Sequence, residues 1–214
     1  MNIEIYPLDR AVIDGVSIYL GMEQAAVEAV IGKGELAGNR YYYYNNEMAI
    51  DYSDGKVVFI EFLGGIDGIL HPWIYGVSAF DTHADELIKI LEQKNDGEVD
   101  DSEQGYSFAF LDISVGVYRE LRPSDVEEMI EEMKADGISA DNNEDVQKEM
   151  RKANHWSTIG IGAAGYYQKI PFEVSRDIPN AETEDALEEV RLMKQNPSIG
   201  KSYTDVDEMM REHY

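Results

Sequence analysis

The stretch MAIDYSDGKVVFIEFL, residues 48–63, contains two strand patterns on either side of one tight turn. Met48–Tyr52 and Val57–Leu63 are rich in β-branched and aromatic residues, which are enriched in strands. Ser53-Asp54-Gly55 lies between them, and Asp-Gly is a strong signal for a short hairpin turn. The pattern predicts an antiparallel hairpin, and Tyr41–Tyr44 just before it predicts a third strand of the same sheet.

A helix pattern precedes these strands. Within Glu23–Ile31 the apolar residues recur at helical spacing, which predicts one buried face. The predicted face consists of Ala26, Val27, Val30 and Ile31. Gly32 follows, and glycine is the residue that most often ends a helix. The first 70 residues are therefore predicted to form a helix and an antiparallel sheet.

The next segment has the same plan. Gly15-Val16-Ser17 recurs as Gly76-Val77-Ser78, and at the same offset Val27 corresponds to Ile88 and Val30 to Leu91. Similar patterns in register predict an internal repeat. We therefore expect a tandem repeat, with residues 1–70 and 71–122 as its two units.

Two further strand patterns, Tyr106–Leu111 and Ile113–Tyr118, complete the second unit. A helix with a curved sheet, present twice, resembles the architecture of small proteinaceous inhibitors of the β-lactamase inhibitory protein type. The short segment Val16–Met22 before a helix carries this resemblance. It implies a fold only, because one fold supports many functions.

Residues 123–155 predict helices, since their apolar residues recur at helical spacing. The stripe of Val126, Met129, Ile130 and Met133 is interpreted as core packing. Trp156–Tyr167, with the sequence WSTIGIGAAGYY, predicts a glycine-rich buried strand that closes the domain and against which a helix packs closely. The expected fold class is α+β, in a domain of residues 1–168 followed by a mostly helical tail of residues 169–214.

The tail contains two short amphipathic helix patterns joined by a Pro/Gly linker. Short helices of this kind bury little surface alone, so their apolar faces suit a groove on a partner. From Ile170 onward the tail carries 11 acidic and 5 basic residues, which favours a cationic partner. The alternative is that these helices pack on the chain's own domain.

Four motifs in the tail, PFEV, IPNAET, ALEEVRLMK and GKSYTDVDEMM, occur in that order. Together they resemble the toxin-binding half of the RelB/DinJ antitoxins. The resemblance implies that the segment wraps around a basic RelE/YafQ-type ribonuclease and covers its active site. By position, the residues implied to contact the toxin are Phe172, Leu187, Val190, Met193, Tyr203, Val206, Met209 and Met210.

The sequence departs from that family just before PFEV. There the family has a ribbon-helix-helix dimer that binds DNA, whereas this chain has WSTIGIGAAGYYQK, a strand pattern without that motif. The resemblance to the antitoxin family therefore does not imply that this chain binds DNA. A fusion of a different domain to an antitoxin tail accounts for this pattern, and the tail is either functional or a vestige.

The chain of 214 residues has 43 acidic and 18 basic residues, a formal net charge of −25. This charge disfavours binding to nucleic acids and to anionic membranes, because proteins that bind them need Lys and Arg. A cationic protein partner is favoured, since long-range attraction speeds encounter. Acidity that serves only solubility is the alternative. With no cysteine, no signal-peptide pattern and no apolar run of membrane-spanning length, we expect a cytoplasmic protein.

The common catalytic motifs are absent from the sequence, and His71, His83, His155 and His213 lack metal-ligand spacing. We therefore expect no enzyme, no metal and no cofactor. The leading hypothesis is an antitoxin or immunity protein that neutralises a basic ribonuclease. In the second hypothesis, the amino-terminal domain inhibits a different toxin through a concave sheet lined by Tyr41–Tyr44. In the third, that domain is structural or binds a small ligand.

Overall fold

The computed structural model describes residues 1–139 and 143–168, and Met1–Gln168 forms one compact unit. The fold class is α+β, as predicted. The described residues form thirteen strands and four α-helices. The strands are β1 Ile3–Tyr6, β2 Arg10–Ile13, β3 Val16–Tyr19, β4 Glu35–Ala37, β5 Arg40–Tyr43, β6 Met48–Ser53, β7 Lys56–Phe62, β8 Pro72–Ile74, β9 Val77–Ser78, β10 Val99–Asp100, β11 Ser107–Phe110, β12 Val115–Tyr118 and β13 Thr158–Gly162. The helices are α1 Gln24–Ile31, α2 Ala84–Lys94, α3 Pro123–Ala135 and α4 Glu144–Ala153.

The strands form two sheets. The small sheet has the order β3-β2-β1-β8-β9, and the large sheet has the order β10-β11-β12-β13-β7-β6-β5-β4. The first half of the domain contributes β1, β2 and β3 to the small sheet, and the second half contributes the hairpin β8–β9. In each half a helix follows, and then a meander in the large sheet. The predicted hairpin of residues 48–63 is confirmed as β6 and β7, and Asp54 and Gly55 form its turn with positive φ angles.

β13 lies in the middle of the large sheet. It pairs antiparallel with β12 on one side and with β7 on the other, so it joins the two meanders. The predicted strand is confirmed over Thr158–Gly162, which is shorter than the predicted range. The prediction that a helix packs on the glycines of β13 is wrong, because tyrosine and phenylalanine rings lie over them instead.

The main core joins the inner faces of both sheets with α1 and α2. α2 contributes Ala84, Leu87 and Leu91, all fully buried. α1 is predicted to bury four residues, but Val27 is its one fully buried side chain, and Val30 is 47% exposed. The predicted apolar face of α1 is therefore wrong at Ala26 and Val30, which point to solvent.

A second, smaller core holds α3 against α4. Val126, Val146 and Ala153 are buried there, and Met129, Ile130 and Met133 pack on them. The interpretation of the methionine stripe as core packing is confirmed. Arg119 connects this region to the large sheet: its guanidinium donates to the carbonyl of Ala153 and lies 4.9 Å from the Trp156 ring.

Candidate functional site

The face of the large sheet that points away from the core presents one row of residues across all eight strands. Pairing of neighbouring strands aligns Asp100, Ala109, Gly116, Gly160, Glu61, Ala49, Tyr42 and Glu35. Four of these residues are glycine or alanine, so the middle of the row has almost no side-chain volume. A sheet surface this bare lets another group approach the backbone closely.

Two tyrosines from the segment after β13 occupy part of that space. A Cβ atom on Gly116 would lie 2.3 Å from the Tyr167 hydroxyl oxygen. A Cβ atom on Gly162 would lie 2.4 Å from the Tyr166 Cβ, and one on Gly160 would lie 2.3 Å from the Phe59 ring. Glycine is therefore required at these three positions, because any side chain would displace a ring.

Charged side chains lie beside these rings. Arg40 donates to Asp51 and is paired with Glu61, each at 2.7 Å. Tyr166 stacks on Phe59 with ring centroids 4.3 Å apart, and its hydroxyl donates to Asp51 at 3.0 Å. The pairing of three strands places these residues together, because Arg40, Asp51 and Phe59 are successive cross-strand partners.

These groups line a cavity of about 440 Å³, here called the large-sheet groove. Its charged lining residues are Arg40, Asp51, Glu61, Asp100 and Glu103, so carboxylates outnumber cations by four to one. Its aromatic lining residues are Phe59, Phe108, Tyr118, Tyr166 and Tyr167. The groove therefore combines an acidic lining with aromatic rings over a small-residue floor.

The environment fixes the charge states in the groove. Burial lowers the pKa of Arg40, but the Glu61 and Asp51 carboxylates outweigh it, and the net pKa is raised. Burial raises the pKa of Tyr166 and raises that of Tyr167 well above its usual range. Both hydroxyls are therefore protonated at physiological pH, and Arg40 is a cation.

The binding residues predicted from the sequence differ from those that line the large-sheet groove. The hypothesis that Tyr41–Tyr44 line a concave sheet is contradicted for three of the four tyrosines, because Tyr41, Tyr43 and Tyr44 pack against the core cluster. Tyr42 alone of the four belongs to the row on the outer face. Strand alternation explains the error, since successive side chains point to opposite faces of a sheet.

The tail residues predicted to contact a toxin lie outside the described residues. They are Phe172, Leu187, Val190, Met193, Tyr203, Val206, Met209 and Met210, and they stay predictions.

The residues of the large-sheet groove were missed because they are dispersed along the sequence. Arg40, Asp51, Glu61 and Tyr166 come from four separate segments. Strand pairing brings the first three together, and Tyr166 joins them from the segment after β13 by its contacts with Asp51 and Phe59. One local signal was present: alternate glycines at 160 and 162, followed by Tyr166-Tyr167. Glycines at period two on one face of a strand indicate that something approaches that face.

A Ser/His/Asp grouping beside the small sheet does not have nucleophile geometry. The Ser78 hydroxyl donates to Asp81 at 2.6 Å, and His71 Nδ1 contacts the same carboxylate at 2.8 Å. His71 Nε2 lies 2.9 Å from the carbonyl oxygen of Gly68. Because the serine is bonded to the carboxylate and not to the histidine, the histidine is not placed to activate it. Within residues 1–139 and 143–168, no cluster of three or more His, Asp or Glu side chains is arranged to hold a metal ion.

Comparison with known proteins adds no relative. No family model, no curated protein and no solved structure matches this chain. Among the described helices, none is both long enough and apolar enough to cross a lipid bilayer.

Proposed function

We propose that this chain is a non-catalytic binding protein of the antitoxin or immunity type, with a positively charged protein as its target. The observation that carries the proposal is the large-sheet groove, in which four carboxylates and one guanidinium surround aromatic rings and a glycine floor. Aromatic residues and arginine are the side chains that most often dominate binding energy at protein interfaces. The acidic lining complements lysine and arginine on a partner.

The charge of the whole domain supports the same class of target. Residues 1–168 carry 32 acidic and 12 basic residues, a net charge of −20. A field of this sign raises the association rate with a cationic protein and disfavours anionic ones. We therefore expect the association rate to fall steeply as salt is added, since exposed charges are screened over about 10 Å at 0.1 M salt.

The chemistry of the groove favours binding over catalysis. Asp51 and Glu61 are both engaged by Arg40, and the tyrosine hydroxyls are protonated. No histidine is among the residues that line the groove in the described part of the chain. Histidine is the side chain that most often serves as the general acid or base in acid–base catalysis. Inhibition would be steric and electrostatic, by covering a cationic active site.

The tail would provide the second half of the contact with the target. Its resemblance to RelB/DinJ antitoxins supports a RelE/YafQ-type ribonuclease as that target. The alternative is that the domain alone inhibits a different toxin, and it is supported by the large-sheet groove, whose described lining residues run from Asn39 to Tyr167.

The test is calorimetry of the full-length chain with a small basic ribonuclease encoded beside it. We expect tight binding at low salt that weakens as salt is added. Tyr118→Ala in the groove should cost about 2 kcal/mol or more of binding free energy if Tyr118 is a hot spot. Tyr19→Ala is the matched control, because Tyr118 is 41% and Tyr19 is 46% exposed, but Tyr19 lies on the small sheet.

The outcomes separate the two halves of the chain. No binding by the full-length protein at low salt would reject the proposal. Binding that Tyr118→Ala leaves unchanged, and that Tyr203→Ala with Met209→Ala weakens by a few kcal/mol, roughly the size of interface hot spots, would assign the contact to the tail alone.

A further inference from the structure

The outer face of the small sheet carries an unusual concentration of exposed aromatic residues. Tyr6, Tyr19, Trp73 and Tyr75 are 40%, 46%, 47% and 38% exposed, respectively. Three of them, Tyr6, Trp73 and Tyr75, border a hollow of about 530 Å³ that we call the small-sheet hollow, whereas Tyr19 lies outside it. Its lining includes Asn2, Glu4, Tyr6, Pro7, Trp73 and Tyr75. Among the described residues, none lines both this hollow and the large-sheet groove.

The chain's own cations already lie against three of these aromatic rings. The Arg10 guanidinium lies 4.5 Å from the Tyr6 ring centroid and 5.5 Å from that of Tyr19, and the Lys94 ammonium lies 5.5 Å from that of Tyr75. A cation within about 6 Å of a ring centroid is attracted by the ring's quadrupole. The surface therefore accommodates both a guanidinium and an ammonium group in this way.

Trp73 is the ring that has no such partner. Among the described residues, neither a cation nor a second ring is paired with it. Tryptophan is the strongest cation acceptor of the aromatic side chains. Its neighbour across the β1/β8 pair is Glu4, whose carboxylate accepts a hydrogen bond from Tyr6. An indole face beside a carboxylate complements a cation in both shape and charge.

Arg10 is too distant from Trp73 to cancel this preference. Arg10 is on β2 and Trp73 is on β8, with β1 between them, so the two strands are about 10 Å apart. Arg10 is also paired with the adjacent Asp9. Glu4 is therefore the charged group nearest to Trp73 in the sheet pairing.

We propose that the small-sheet hollow binds an arginine or lysine side chain of a partner protein, held between the Trp73 indole and the Glu4 carboxylate. A protein-borne cation fits better than a free small ion, because the rings are near half exposed and a small-molecule pocket usually buries most of its ligand. The inference rests on the proposed function in one respect only, namely that the partner is a cationic protein.

The test uses the full-length chain and two reporters that it already contains. The chain has two tryptophans, so its NMR spectrum has two indole N–H signals. Trp73 is exposed, whereas Trp156 is 1% exposed and donates its indole N–H to the carbonyl of Ala84, which makes it an internal control. The probes are N-acetyl-arginine amide and N-acetyl-lysine amide. N-acetyl-citrulline amide is the neutral match, and sodium chloride keeps ionic strength constant.

We expect both cations to shift the Trp73 signal with millimolar affinity and to leave the Trp156 signal in place. Glu4→Gln keeps the shape and the acceptor for Tyr6, and it should weaken binding roughly three- to thirty-fold. Trp73→Leu, followed through the amides of Tyr75 and Gly76, should abolish the response. Tyr19→Ala, which removes an exposed ring on the far side of Arg10, should leave affinity within about two-fold.

Several results would overturn the proposal. If the citrulline probe bound with the same affinity as the arginine and lysine probes, the hollow would have no preference for positive charge. A response that survives Trp73→Leu, or no response at all, would also reject it. These failures are distinct from a failure of the proposed function, because the latter is measured by toxin binding to the full chain and by Tyr118→Ala in the large-sheet groove.

Discussion

The two halves of the described domain share one order of elements but differ in packing. In each half a hairpin turn with two positive φ angles, at Asp14-Gly15 and at Tyr75-Gly76, precedes a helix and then a meander. The first helix, α1, has Val27 as its one fully buried residue and no side-chain cap. The second helix, α2, buries three residues and is capped by His83, which accepts from the amide of Asp85.

A difference of one residue explains why equivalent helix positions differ in burial. The turns align at an offset of 61, from Gly15 to Gly76, but the helices begin at an offset of 60, from Gln24 to Ala84. One residue rotates a helix by about 100°. At the offset of 60, Val27 aligns with Leu87 and Ile31 with Leu91, and all four contact the core. The sequence alignment at 61 therefore paired the exposed Val30 with the buried Leu91, and the buried Val27 with the partly buried Ile88.

The largest effect that tests this comparison is expected at Leu91. Leu91→Ala removes a fully buried side chain from α2 and should cost about 2–5 kcal/mol of unfolding free energy. Val30→Ala, its partner in the alignment at 61, changes a residue that is 47% exposed and should cost less than about 0.5 kcal/mol. Urea unfolding followed by circular dichroism measures both. Similar losses from the two variants would contradict the shifted register.

The outer faces of the two halves differ as well, and Gly116 tests this difference. The first half presents Arg40, Asp51 and Glu61, whereas β12 and β13 present glycines under Tyr167. Gly116→Ala should destabilise the domain by about 1–3 kcal/mol, because the new Cβ overlaps the Tyr167 ring.

A double-mutant cycle separates this overlap from other effects of alanine at position 116. In the Tyr167→Ala background the overlap is gone, so Gly116→Ala should cost less than about 0.5 kcal/mol. Thermal unfolding of the four proteins gives the coupling free energy. An equal loss of unfolding free energy in both backgrounds would show that the Tyr167 ring is not the reason why glycine is needed at position 116.

The smallest expected effect concerns the segment between hairpin and helix in the second half. Burial alone would raise the pKa of Asp81, but hydrogen bonds from Ser78 and His71 outweigh it and lower the pKa. A lowered pKa means that this carboxylate stabilises the fold above its unfolded pKa of about 3.9, and that the contribution is lost as pH falls through the folded value. Asp81→Asn should therefore destabilise the domain at pH 7 by no more than about 1 kcal/mol, because the carboxylate is half exposed.

Unfolding free energies of Asp81→Asn and the unchanged protein at several pH values between 7 and 3 provide the measurement. The gap between them should narrow as pH falls below about 4. A gap that stays constant or widens at low pH would show that the carboxylate's charge is not the stabilising element.

Local sequence was sufficient for much of the fold. The Asp54-Gly55 turn, the strands around it, Gly32 at the end of α1 and the α3 methionine stripe follow from spacing and residue type over a few neighbours. These predictions are confirmed because hairpin turns and helix ends depend on φ angles and side chains within one turn of the chain. The acidic composition likewise indicated a cationic partner, which stays a prediction.

Only the tertiary structure decided where the candidate binding surfaces lie. Arg40, Asp51 and Glu61 are brought together by strand register, and Trp73 meets Glu4 through a parallel pairing of β1 with β8. A shift of one residue in a strand moves every side chain to the opposite face, and a shift of one residue before a helix turns its buried side away. Sequence spacing states which residues can share a face, but pairing between distant segments decides which face meets solvent and what lies beside it.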